Sequence, residues 1–181
     1  MTKTQNDTLK KRCIFHKTGA DTNGEYLEME VSYAPHSDQP PDHYHPYQEE
    51  HFEVLKGKFH TKIGCEERAY ETGEKFTVPK NTAHWMQNIS DEEGCLIWHV
   101  RPAMKTQGFL ETMWGLEADG KTNTNGGLNL LQLAVILQEY SDEFRVPSPP
   151  FWVQRILFGL LSPIGKMIGY RVSYPQYSSN V

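Results

Sequence analysis

The 181-residue chain predicts a mainly β fold, a barrel or sandwich of short strands, followed by an α-helical extension. Three observations carry that expectation. From about Arg12 to Pro102 the chain reads as short apolar runs, the clearest alternating with polar residues at a period of two, separated by turn residues. Beyond Pro102 the apolar spacing becomes helical. The apolar fraction is ordinary and aromatics are plentiful, so a packed core with an appendage is within reach of a chain this long.

Each element has its own signal. "YLEMEVSY" sets Leu27, Met29, Val31 and Tyr33 against Glu28, Glu30 and Ser32, the pattern of a half-buried strand. "HFEVLKGKFHTKIG" gives two runs joined at Lys56-Gly57-Lys58, a hairpin in which Gly supplies the unusual backbone angle. "GEKFTVP", "AHWMQNI" and "CLIWHV" follow, separated by Pro79-Lys80-Asn81 and Asp91-Glu92-Glu93-Gly94. "TQGFLETMWGLEAD" and "GLNLLQLAVILQEYSDEF" carry helical spacing, and a Pro-rich linker leads into a third helical segment, "FWVQRILFGLLSPIGKMIGYR". The boundary falls near Pro102, giving units 1–102 and 103–181, the second packing on the first or forming a subunit interface.

The net charge of −5 argues against nucleic acid as partner, and the extension has no clustered basic helix. Charge is unevenly spread, however. All 23 acids precede Phe144; beyond it stand Arg145, Arg155, Lys166 and Arg171 alone. Cys13, Cys65 and Cys95 have no paired spacing, which fits a reducing compartment, and the polar N-terminus lacks an apolar signal segment. A cytoplasmic protein is the expectation.

The chemistry is concentrated in "DHYHPYQEEHFEVLKGKF". On a strand, His43 and His45 face one side and can aim at one point. Glu50 shares parity with the apolar Phe52 and Val54, so it belongs inside, with His51 and Glu53 outside. Glu49 reads as a solvated loop acid. A buried carboxylate beside imidazoles is costly unless an ion or partner compensates. His84 in "AHWMQN" offers a fourth donor, with Met86 and Asn88 inward and Trp85 and Gln87 outward. Three imidazole nitrogens and one carboxylate oxygen suit a single divalent transition metal such as iron, manganese, nickel, copper or zinc.

The same residues resemble the cupin superfamily. His43, His45, Glu50 and Gly57 follow its first motif, His-x-His-x4-Glu-x6-Gly. Gly73, Pro79, His84 and Asn88 follow its second, with Asn81 where Gly is usual; Ser37 stands at the first motif's leading Gly. The resemblance covers roughly residues 25–102. It implies an RmlC-like, antiparallel double-stranded β-helix (a jelly-roll barrel) with metal on His43, His45, Glu50 and His84. The C-terminal segment is also similar to extensions on bacterial cupins, which brings no activity with it.

The function so implied is metal-dependent binding and oxidation of a small organic molecule, dioxygenase-like, with Glu50 as a candidate catalytic base. A non-catalytic ligand-binding or sensor cupin, or a metal-assisted isomerase or hydrolase, are the alternatives. Tyr44, Tyr47, Phe52, Phe76, Met86 and Trp98 are expected as core that could also wall a pocket, His99 as a surface or satisfied histidine, and Asn88 as a structural hydrogen-bonder. In the last helix, Arg155, Gly159, Ser162 and Lys166 form a narrow polar or small stripe, while Trp152, Ile156, Leu160 and Met167 share the broad apolar remainder. Packing or homodimerisation through that remainder is the expectation, with an anionic membrane surface the minor alternative.

Overall fold

A computed structural model describes residues 2–4, 11–122 and 127–177. The strands are β1 (Thr2–Thr4), β2 (Lys11–Lys17), β3 (Leu27–Tyr33), β4 (Glu49–Lys56), β5 (Lys58–Ile63), β6 (Glu66–Glu71), β7 (Lys75–Val78), β8 (His84–Asn88) and β9 (Gly94–Arg101). The helices are α1 (Thr106–Ala118), α2 (Leu130–Glu139) and α3 (Phe151–Met167). All strand pairs are antiparallel, in a six-stranded sheet ordered β1-β2-β3-β9-β4-β7 and a three-stranded sheet ordered β6-β5-β8. Among the described residues no ladder joins the two sheets into a closed barrel. The strand arrangement is that of a jelly roll with open seams.

Alternation does place the core. Leu27, Met29 and Val31 of β3, Phe52 and Val54 of β4, and Leu96, Trp98 and Val100 of β9 are buried, with Phe52 stacked between Phe76 and Trp98. The chain passes from one sheet to the other at Gly57, where φ is +89° and a Cβ would lie 2.9 Å from both Gly94 Cα and Ser90 Oγ. No other residue fits there without moving backbone. Asn81 takes the left-handed conformation its motif position demands (φ 61°). Ser37 does not: the left-handed residue is its neighbour His36, and the Ser37 hydroxyl accepts from Asn88 N at 2.9 Å.

Three local expectations change. Trp85, assigned outward by parity, is buried because its indole packs edge-to-face on His60 at 5.0 Å. The strand "EERAYE" (β6) carries no strand signal in the sequence; it pairs with β5 alone, and its largely exposed, charged face hides the alternation while discouraging further edge pairing. The second helix, read through to Phe144, stops at Glu139, and Phe144 and Arg145 run extended. Asn129 caps its start by accepting from Leu131 N. Its early end frees the following residues for the site.

One hydrophobic cluster runs from the sheets into the helices, taking in Phe109, Leu116, Ile136 and Phe158 with the strand residues. Gln48, fully buried at the entrance to β4, ties the two parts by donating to Pro102 O at 2.8 Å and Thr106 Oγ1 at 2.6 Å.

Candidate metal centre

His43 and His45 lie on an extended connection ahead of β4, not on a strand. Pro40, Pro41 and Pro46 crowd this connection and cannot donate to a ladder, so only isolated bridges form. One bridge pairs His43 with His84: His84 N donates to His43 O at 2.8 Å and His43 N to His84 O at 3.2 Å. The backbone therefore brings these two imidazoles side by side, with ring centroids 4.3 Å apart. The next bridge reaches across the chain. Tyr44 N donates to Arg145 O at 2.8 Å and Arg145 N to Tyr44 O at 3.0 Å. A strand-like rung of the extension thus pairs with the connection that carries His43 and His45.

The donor atoms of His43, His45 and His84 all lie within 4.8 Å of one another. Each ring is oriented by the same device. His43 Nδ1 donates to Pro41 O at 3.0 Å, His84 Nδ1 to Thr82 O at 3.0 Å and His45 Nδ1 to Glu143 O at 2.5 Å. A carbonyl can only accept, so each Nδ1 carries hydrogen and each ring turns its Nε2 toward the cluster, with a free lone pair wherever the ring is neutral. That is the tautomer metal-binding imidazoles need, set by backbone oxygens.

Glu50 joins from β4 with no exposed surface. Its carboxylate lies 3.2 Å from His45 Nε2 and 3.0 Å from His84 Nε2. It touches two of the three imidazoles, while the mutual 4.8 Å set comprises the histidines. Trp98, on the adjacent β9, donates its indole N–H to Glu50 Oε1 at 3.1 Å. His45 Nε2 and Glu50 Oε2 are both buried and lack a hydrogen bond. Buried polar atoms are seldom left so. A cation between them supplies the missing partner, so the residues present fit a metal ion.

The electrostatics agree. Burial would raise the Glu50 carboxyl, but His45, His84 and His43 outweigh it and hold the group down at about 2. Burial, reinforced by His84 and His45, lowers His43 to about 3. Burial also lowers His45, against the pull of Glu50. His84 moves the other way: burial lowers it, but the Glu50 carboxylate 3.0 Å away prevails and raises it. Two imidazoles are thereby kept neutral and the carboxylate ionised, the states in which all three can ligate.

The remaining candidates fall elsewhere. Glu49 and His51 pair on the outside at 2.8 Å. His99 faces out against Glu28 at 3.1 Å. Asn88 is structural: its Nδ2 donates to Ala34 O at 3.0 Å and Glu92 O at 2.8 Å, and its Oδ1 accepts from Ser90 N. Tyr47 is exposed. Two contributors have no signal in the sequence. Glu143 offers its backbone carbonyl, and Phe144 stacks on His43 at 4.8 Å with an interplanar angle of 18°. Both sit inside what looks like continuous helical periodicity, so nothing in the one-dimensional pattern marked them.

Residues 29–100 match the family model of the cupin domain. This segment is a cupin. The chain is 34% identical over 61 residues to the protein SchB of Streptomyces halstedii, a match covering 34% of this chain and 44% of that protein. The cupin thus spans less than half the length of that relative. An oxidoreductase of Arthrobotrys oligospora is 25% identical over 194 aligned positions, covering 98% of this chain and 73% of that one. An RmlC-like cupin structure from Shewanella frigidimarina shares 18% identity, covers 54% of this chain and 80% of its own, and superposes with a TM-score of 0.46.

Proposed function

We propose that the chain is a metal-dependent cupin that binds and oxidises a small organic molecule, with residues 1–102 as the metal-bearing barrel and 103–181 as its helical extension. The observation that carries the reading is the shared orientation of three imidazoles, each donating Nδ1–H to a backbone carbonyl so that three Nε2 atoms meet. The similarity to an oxidoreductase along nearly the whole chain supports the oxidative choice over isomerase or hydrolase chemistry.

In this reading His43, His45, His84 and Glu50 hold one divalent transition metal, which when bound supplies Lewis acidity and, if redox-active, electrons for reaction with dioxygen. The protein does the rest. Trp98 and the imidazoles hold Glu50 ionised and pointed inward, so its carboxylate is placed to accept a proton from a substrate hydroxyl or enol. His43 is the one partly exposed member of the histidine set, so a ligand approaches on its side. Phe144, stacked on that ring, lines the approach and helps exclude water.

Elemental analysis of chelator-free protein, wild type beside His84→Ala, tests the site. A near-stoichiometric transition metal lost in the variant, with oxygen uptake on small hydroxylated or enolic compounds, is the expected result. Zinc without oxygen uptake turns the reading toward isomerase or hydrolase chemistry. Metal-free protein that cannot be reconstituted overturns it.

A further inference from the structure

The third helix packs against the rest of the molecule with the opposite face from the one its composition suggests. Buried positions on α3 are Gln154, Phe158, Ser162 and Gly165. Gly165 lets α2 come close: a Cβ there would lie 2.7 Å from Val135 Cγ2 and 2.9 Å from Leu131 O. Gln154 satisfies the linker carbonyls of Val146 and Pro149. The broad apolar face is left outside. Trp152, Ile156, Leu160, Ile164, Met167 and Ile168 are each at least half exposed, Met167 at 86%. They form one continuous stripe, since positions four apart along a helix lie above one another. Contiguous apolar stripes of this size mark an interaction surface.

The charges around the stripe say what covers it. Arg155 and Lys166, three turns apart, fall on the same flank, and exposed Arg171 follows the helix end. No acid occurs anywhere from Phe144 onward. Among the described residues, none of these three cations has an ion-pair partner, whereas Arg145 is engaged by Asp142 and lies over Phe151. Two α3 helices laid antiparallel about Leu160 would set Arg155 of one copy beside Lys166 of the other. Parallel packing of α3 on α3 also offers these cations no carboxylate. The complementary surface is apolar and negatively charged at its rim. At 17 residues the helix is too short to span a bilayer, and no helix of the described residues is long and apolar enough to cross one.

We propose that α3 is an interfacial helix that docks the protein, lying flat, on an anionic phospholipid bilayer. The apolar stripe enters the boundary between headgroups and acyl chains while Arg155, Lys166 and Arg171 meet lipid phosphates.

The test is flotation of the full-length protein with vesicles of phosphatidylcholine alone or with added phosphatidylglycerol, alongside sedimentation velocity without lipid. Binding to the anionic vesicles only, weakened by salt, is expected. Arg155→Gln and Lys166→Gln should each reduce partitioning roughly fivefold. Ile156→Glu with Leu160→Glu should abolish it while metal content and circular dichroism stay unchanged, since both side chains are exposed. Equal binding to phosphatidylcholine alone overturns the charge argument. Protein that stays in the soluble fraction overturns the proposal, and a dimer dissociated by Leu160→Glu then identifies a second copy of the chain as the occupant. A monomer that does not float overturns it as well.

Discussion

His45 and Glu143 are 98 residues apart in sequence, yet the Nδ1–H of the first is bonded to the carbonyl of the second at 2.5 Å. The orientation of a barrel imidazole therefore depends on the extension. Phe144, the next residue, stacks on His43. The helical segment is part of the site's construction, not only a support for it.

Phe144→Ala is expected to remove the ring from His43 and open the site to water. The ring is half-buried, so a stability loss of roughly 2 kcal/mol is anticipated, below the 3–5 kcal/mol of a fully buried Phe→Ala change. Metal should still bind but exchange faster. Stopped-flow transfer to a chromogenic chelator reads this directly; an unchanged exchange rate would separate Phe144 from the site.

Trp98→Phe keeps the core filled and removes only the N–H held by Glu50 Oε1. Loss of such an outer hydrogen bond typically weakens metal binding about 10–100-fold. Competition titration against a chelator of known affinity measures it. Affinity equal to wild type would mean that Glu50 is positioned without the indole.

Metal at 100 times its dissociation constant is expected to add about 2.7 kcal/mol to stability, because the assembled set of donors exists only in the folded chain. For a chain of this size that corresponds to a melting shift of roughly 5–10 °C. Differential scanning calorimetry with and without the ion tests it. His84→Ala should show little or no shift.

Asn88→Ala strips the donor from the carbonyls of Ala34 and Glu92 and removes a buried amide that ties two turns together. A loss on the order of 1–3 kcal/mol is expected in urea unfolding. The folded fraction should keep its full metal content. A variant of unchanged stability but depleted metal would instead assign Asn88 to the site.

Gly165→Leu should force α3 off α2, since even a Cβ meets Val135 and the Leu131 carbonyl. Overpacking of this kind costs about 1–3 kcal/mol. Ile164→Leu, one position away on the exposed face, should change almost nothing. Chemical denaturation of the pair discriminates a packed α2–α3 contact from a loose one.

The sequence by itself determined the mainly β character, the inward facing of Glu50, Phe52 and Val54, and the three histidines that the fold brings together. These rest on local rules: a period of two assigns faces, and the left-handed positions at Gly57 and Asn81 admit few residue types. Tertiary structure alone decided the rest. It ended the second helix at Glu139, because backbone beyond it is needed to pair with Tyr44 and to orient His45. It also chose which face of α3 to bury. Helical periodicity reports that a helix has two faces, but close approach of α2 requires the glycine side. The stripe richest in apolar residues was therefore left outside, a result set by the geometry of contact and not by hydrophobicity.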